Sequence, residues 1–310
     1  MKKIAIISPD AVKLPLLPSA PKYKIENDKK YLTVDKCCRP AALGIRAQRF
    51  AEYLADVPDC DVTLFIPNLN HPGDGMIDVK KLKYKISTYN WEQSLWQWSE
   101  ELDRKLQSYD FVIIQTTAGA GFVNCTVLPS TTNVIVDAWI PFLPEFSVSL
   151  LSNKKRVYRK IMWERALPQY ESLIRRSNCV ICANDRQKSL YEGMFFSIGK
   201  LNWRAYKFSP ILKIPMGMDS RDKIQQIKKS HKMKLLWYGP IYPWYDPITL
   251  IEAVKKNNNI ALDFVGVSHP RFKNLYNTYY KDLLDKYSDV ISIDETYYDD
   301  PTKVFVNYDA

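Results

Sequence analysis

Asp137 closes the apolar run "NVIVD", and Glu145 follows in "AWIPFLPEF", on a loop expected to be stiffened by Pro141 and Pro144. Two carboxylates at a strand end can bind sugar hydroxyls or move a proton. The same residue types serve equally well as helix caps and turn formers. Upstream, Gly44 sits just before a helical pattern in "RPAALGIRAQRF". A glycine there lets the backbone approach an anion while helix amides point at it, although a plain cap or turn has the same appearance. Arg46 and Arg49 would add positive charge. Gly239 follows "LLWY"; Pro240 and Pro243 fix the loop after it, and Trp244 and Tyr245 offer flat faces on which a base or sugar can stack. Asp246 and Pro247 have the types of an N-cap and first helical residue, so Asp246 is expected to be a cap. Gly266 ends the next strand in "LDFVGVSHP", with His269 and Arg271 on the loop beyond. A strand-to-helix turn carrying a glycine can seat a diphosphate on the helix N-terminus.

What the sequence lacks narrows the chemistry. There is no G-x-G-x-x-G and no Walker sequence, so nicotinamide dinucleotide and P-loop readings have no support. Cys179 and Cys182 have C-x-x-C spacing but lie in "NCVICAN", which reads as a strand. Residues three apart on a strand face opposite ways and cannot share a metal. His71, His231 and His269 are scattered, so no metal is expected. The formal charge of +10 favours anionic partners. No zinc finger or RNP signature is present, which argues against nucleic acid. The densest basic stretch, "NKKRVYRK" at 153–160, reads either as the solvated face of a helix or as a membrane-surface patch. The opening "MKKIAIISPD" has too short an apolar run for a signal peptide, and no run approaches the roughly 18 residues of a membrane helix. A cytoplasmic protein is expected, with peripheral contact at the inner face of the membrane as an option.

The elements that must position these residues follow from periodicity. Short apolar runs ("KIAIISP", "DVTLFIP", "DFVIIQT", "TNVIVDAW", "NCVICAN", "ILKIPMGMD") alternate with amphipathic stretches ("GIRAQRFAEYLADV", "WEQSLWQWSEELDRKLQSY", "RVYRKIMWERALPQYESLIRRS", "DRQKSLYEGMFFSIG"). Pro168 is placed to kink or divide the third of these helices. Alternation of this kind makes an α/β fold with an open parallel sheet. Segments 14–40 and 67–90 read as irregular, either substrate loops or surface insertions. A polar stretch at 220–232 reads as a linker. The pattern then restarts with "MKLLWYG", "DPITLIEAVKKN", "ALDFVGVS", "LYNTYYKDLLDKY" and "DVISID". The expected organisation is an N-terminal Rossmann-like domain over 1–219 and a partial one over 233–310. The second has three strands where a doubly wound domain usually carries about five or six.

In their order, these segments resemble GT-B glycosyltransferases of the family 4 type. The resemblance rests on "LLWYGPIYPWYDPITLIEAV" and "LDFVGVSHPRF" in the second half, and on the Gly-Ile-Arg helix start, "VDAWIPFLPEF", "CANDRQKSLYEGMF" and "IPMGMD" in the first. It implies two facing Rossmann-like domains. It further implies retaining transfer of a sugar from a nucleotide-sugar, without a metal or further cofactor, to a cell-surface polysaccharide or lipid-linked glycan precursor. Gly44 and Gly239 would then approach the donor's phosphates, with Arg46 as a phosphate contact, Gly266 and His269 beside the donor, and Asp137 and Glu145 on the acceptor side. This chain departs from the family at Pro240, where a second glycine is common, and in ending at Ala310, before the family's acidic donor-binding segment. The alternative expectation is therefore a non-catalytic or split GT-B chain that serves as partner or scaffold of another glycosyltransferase.

Overall fold

In the computed structural model, the described residues are 1–9, 33–34, 42–68, 75–76, 82–90, 99–116, 123–151, 156–202, 209–217, 232–242, 245–267, 280–296, 298 and 302–309. They group into two compact units, 1–144 with 155–216, and 145–154 with 217–310. The sequence places 1–219 in the first domain, whereas 145–154 and 217–219 group with the second unit; the expected linker at 220–232 lies, apart from Lys232, outside the described residues.

The first unit is α/β. Its strands are β1 (Lys2–Ile7), β3 (Cys60–Asn68), β5 (Lys85–Asn90), β6 (Phe111–Gln115), β7 (Asn133–Asp137), β8 (Cys179–Cys182) and β9 (Ile211–Lys213). They form one sheet in the order β5-β3-β1-β6-β7-β8-β9, with every pairing parallel. Growth runs outward from β1 in both directions, which is the order of a doubly wound sheet. Two-residue strands β2 (Thr33–Val34) and β4 (Gly75–Met76) pair separately and antiparallel. The central strands are apolar because both faces are covered: Ile6, Ile7, Val112, Ile114, Val134 and Val136 are buried.

Helix α1 (Ala42–Ala55) packs on this sheet through Ala47 and Ala51, fully buried one turn apart against Ile4, Ile6, Val62 and Leu64. Their small side chains let the helix axis come close to the strands. Helix α2 (Glu100–Leu106) begins at Ser99, whose side chain accepts the Leu102 N–H. Helix α3 (Phe142–Leu151), whose residues from Glu145 on group with the second unit, precedes α4 (Arg156–Arg176), which is one unbroken helix despite Pro168. Helix α5 (Asp185–Ser197) is capped by Asn184, which accepts from the Gln187 N–H at 3.0 Å.

Three local expectations change, and a fourth, a kink or a break at Pro168, loses the break. Residues 85–90, read as irregular, form the edge strand β5. Its sequence "KISTYN" is polar enough to resemble a loop, but Tyr89 is buried and donates its hydroxyl to the Ser8 carbonyl at 2.7 Å. Gly44 lies inside the first turn of α1 rather than before it. Glu145 lies in the first turn of α3 rather than on a loop, because Pro144 falls where helical N–H groups have no intrahelical partner to lose. Pro168 does not divide α4.

The second unit carries the parallel sheet β10 (Met233–Tyr238), β11 (Ile260–Val265) and β12 (Ile291–Asp294), in that order. Helix α6 (Pro247–Lys255) lays Ile251 and Val254 against Leu262, Phe264, Leu284 and Ile291; α7 (Lys281–Asp285) and α8 (Thr302–Phe305) complete it. Asp246 caps α6 as expected, its carboxylate accepting the Thr249 N–H at 3.1 Å with Pro247 at the first helical position.

Candidate functional site

Ligands in open parallel sheets sit at the carboxyl ends of the strands, and each unit presents such an edge. In the first, Asp137 is the last residue of β7 and is wholly buried. The register of β6 on β7 sets Gln115 beside it. Helix α1 passes over both residues, which brings Arg46 onto the Asp137 carboxylate. Its Nε donates at 2.8 and 3.0 Å to the two carboxylate oxygens, and one terminal nitrogen donates at 2.9 Å. The remaining guanidinium N–H groups reach the carbonyls of Ile214 (3.1 Å) and Pro215 (3.3 Å) and the sulfur of Met216 (3.8 Å). The rings of Phe50 and Trp139 lie 5.1 and 5.8 Å from the guanidinium carbon. All five donors of Arg46 therefore have partners, and the residue is buried. Burial pushes the Asp137 carboxyl upward, and the hydrogen bonds and charge of Arg46 oppose it. The bidentate contact makes this an ion pair that fastens α1 to β7 and to the backbone following β9.

Two polar atoms next to this brace are unmatched. Gln115 donates its Nε2 to the Leu43 carbonyl in the first turn of α1 at 2.8 Å, but its buried Oε1 has no partner among the described residues. The indole Nε1 of Trp139 is likewise buried without a partner among them. Trp139 is held from behind: its carbonyl accepts Gln187 Nε2 at 2.7 Å, while Gln187 Oε1 accepts the Ala183 N–H at 2.7 Å. One unmet acceptor and one unmet donor suit hydroxyl groups or water, which give and take a hydrogen bond; a phosphate offers only acceptors. Neither residue was assigned a role from sequence. Both sit at strand carboxyl ends, the same signal that selected Asp137. Gly44 is buried in the α1 first turn close to this edge.

Glu145 is partly buried, and burial pushes its carboxyl up to about 7. Its place in the first turn of α3 favours the ionised form, so desolvation outweighs the helix dipole here.

The second unit's edge is made of backbone. Gly239 and Gly266 follow β10 and β11 directly, with φ of 107° and 74°. The Gly239 N–H donates to the Val265 carbonyl at 2.8 Å, and the Gly266 N–H to the Asp294 carbonyl at 2.8 Å. The two glycines are neighbours: a Cβ on Gly266 would lie 3.8 Å from the Gly239 nitrogen. A Cβ on Gly239 would meet nothing within 4 Å. Asp294, at the end of β12, accepts from the Thr296 N–H and the Tyr298 hydroxyl, each at 2.8 Å. Burial pushes its carboxyl up, but these hydrogen bonds outweigh that and hold it below its ordinary value. Tyr245 packs edge-on against Trp237 and Tyr242, and Trp237 stacks on Phe264. Tyr245 remains 42% exposed. Trp244, His269 and Arg271 lie outside the described residues.

Among the described residues, no group of His, Cys, Asp and Glu is placed to hold a metal ion. Cys60, Cys125, Cys179 and Cys182 are free thiols. No helix among the described residues is long and apolar enough to cross a membrane. No family model and no curated protein matches the chain.

Proposed function

We propose that this chain is a GT-B glycosyltransferase that moves a sugar, with retention, from a nucleotide-sugar to a polysaccharide or lipid-linked glycan precursor. The observation that carries the reading is the adjacent pair Gly239 and Gly266, both at positive φ, at the carboxyl ends of neighbouring parallel strands. Neither glycine puts a side chain on the sheet edge, and the capped N-terminus of α6 begins at Pro247. Such an edge suits the close approach of a diphosphate to backbone. The doubly wound order of the first unit supports the same fold family. On this reading Glu145 is the carboxyl group suited to proton movement near neutrality, since its proton leaves at about pH 7. Asp137 is tied to Arg46 and acts as a positioning residue, not as an acid or base. Arg46 orders the backbone at 214–216 instead of contacting phosphate.

The engagement of every Arg46 donor favours a second reading, a non-catalytic GT-B chain that partners another transferase. Isothermal titration of the full chain with a panel of nucleotide-sugars separates the two. Micromolar binding of one of them supports the transferase, and silence across the panel overturns it in favour of the partner.

A further inference from the structure

We propose that the carboxyl ends of β6 and β7 bind a hydroxyl group, supplied by internal water or by an uncharged sugar, at Gln115 and Trp139. Gln115 is 2% exposed, and the orientation of its amide is fixed. The Leu43 carbonyl can only accept, so the amide nitrogen faces it, at 2.8 Å. The atom left over is the acceptor Oε1, buried without a partner among the described residues. Trp139 has the opposite need, because its buried Nε1 can only donate and also has no partner among them. The two belong to one edge. Gln115 stands beside Asp137 in the strand register, and Trp139 follows Asp137 by two positions. Both are tied to the helix that carries Arg46, Gln115 through Leu43 and Trp139 through its ring, 5.8 Å from the guanidinium carbon.

A buried polar atom without a hydrogen bond costs stability, and natural folds carry few of them. Free charge is not on offer here. Arg46 and Asp137 satisfy each other, and the remaining guanidinium N–H groups are held by the backbone carbonyls of Ile214 and Pro215 and the sulfur of Met216. A metal cation would suit Gln115 Oε1 but meet an N–H at Trp139. An anion would suit the indole but meet a carbonyl oxygen at Gln115. A hydroxyl group gives and takes a hydrogen bond, and water in protein interiors meets needs of this kind. The glycine edge of the second unit plays no part, so failure of this site would leave the donor reading untouched.

The test is nuclear magnetic resonance of the full chain with labelled tryptophan, the Trp139 indole resonance being the one that Trp139→Phe removes. If internal water is the source, the indole proton should show cross-relaxation with water that stays far longer than surface water does, and this signal should persist as glucose, galactose or N-acetylglucosamine is added. If a sugar hydroxyl is the source, one of these neutral sugars should shift the indole resonance and remove any water signal. Inorganic phosphate should do neither. Gln115→Met, which removes the acceptor at similar length, should abolish the water signal or the sugar response, with the other tryptophan resonances reporting that the fold is kept. Where that variant unfolds, the measurements on the parent decide. An indole that responds to neither water nor neutral sugars overturns the proposal. So does a response to phosphate alone, or a signal unchanged in a folded Gln115→Met chain.

Discussion

At the end of β7 the polar groups answer one another: a buried carboxylate meets a guanidinium, and the guanidinium's other donors meet backbone carbonyls. Directly after β10 and β11 come two neighbouring glycines in conformations that other residues resist. Both edges occupy the position where parallel sheets bind ligands. One has its strongest charges turned inward; at the other the glycine N–H groups donate to the carbonyls of Val265 and Asp294. Charge at a strand end is therefore a poor guide to a ligand unless its partners are known, whereas a positive-φ glycine beside another is hard to explain by packing alone.

The sharpest way to break this comparison is to remove one half of the buried pair. Arg46→Ala leaves a buried carboxylate uncompensated and strips the carbonyls of Ile214 and Pro215 of their donors, for a cost of about 3–5 kcal/mol in chemical denaturation. The double variant Arg46→Met, Asp137→Leu replaces the pair with apolar groups and should recover more than half of that loss. A phosphate-contacting arginine would behave in the opposite way, with little effect on stability and a large one on nucleotide binding. An Arg46→Ala chain of parental stability would sink the brace.

A smaller effect is expected at the other edge. Ala at Gly239 must adopt a positive φ, at about 1–2 kcal/mol, with no clash to add because the new methyl group meets open space. Gly266→Ala should cost about the same. If a diphosphate rests on this edge, the Gly239 methyl occupies its place, and nucleotide-sugar affinity by titration should drop more than the stability change explains, by ~10-fold or more. Unchanged affinity in Gly239→Ala would remove the main support for the donor site.

How far these edges could be read in the sequence differs for physical reasons. The strands were legible because a doubly covered parallel strand is a short continuous apolar run, and "NVIVD" and "DFVIIQT" are of that kind. Gly239, Gly266 and the Asp246 cap were legible because local chain geometry selects those residue types. Strand β5 was missed because an edge strand has little to bury, and its one deeply buried residue, Tyr89, declares itself only through contact with Ser8. Gly44 and Glu145 were put outside helices because glycine and proline nearby suggest a break, yet the first helical turn tolerates both. The pairing of Arg46 with Asp137 spans 91 positions. Each residue was singled out alone, and nothing local shows that they neutralise each other. Gln115 and Trp139 were overlooked for the same reason, since an unmet hydrogen bond exists only once the surroundings are assembled.

The smallest expected effect concerns a carboxylate between the two extremes. Asp137 is buried with a cation that opposes the rise of its carboxyl, while burial raises the Glu145 carboxyl. Its proton leaves at about 7 in the fold, against an ordinary value of 4.5. Between those values the native state keeps a proton that the unfolded chain has released. The stability contributed by this group is therefore complete below the ordinary value and is lost as pH rises through about 7. Asp103, raised by burial from 3.8 to about 6, acts with the same sign in a lower window. Glu145→Gln stays neutral throughout, so it should flatten the upper part of this decline. Melting curves at about pH 5 and about pH 8 should show the variant gaining on the parent at the higher pH. An Asp103→Asn background removes the lower contribution without touching the upper one. If parent and Glu145→Gln keep the same difference at both pH values, Glu145 titrates like a solvated carboxylate, and a role in moving protons near neutrality loses its physical basis.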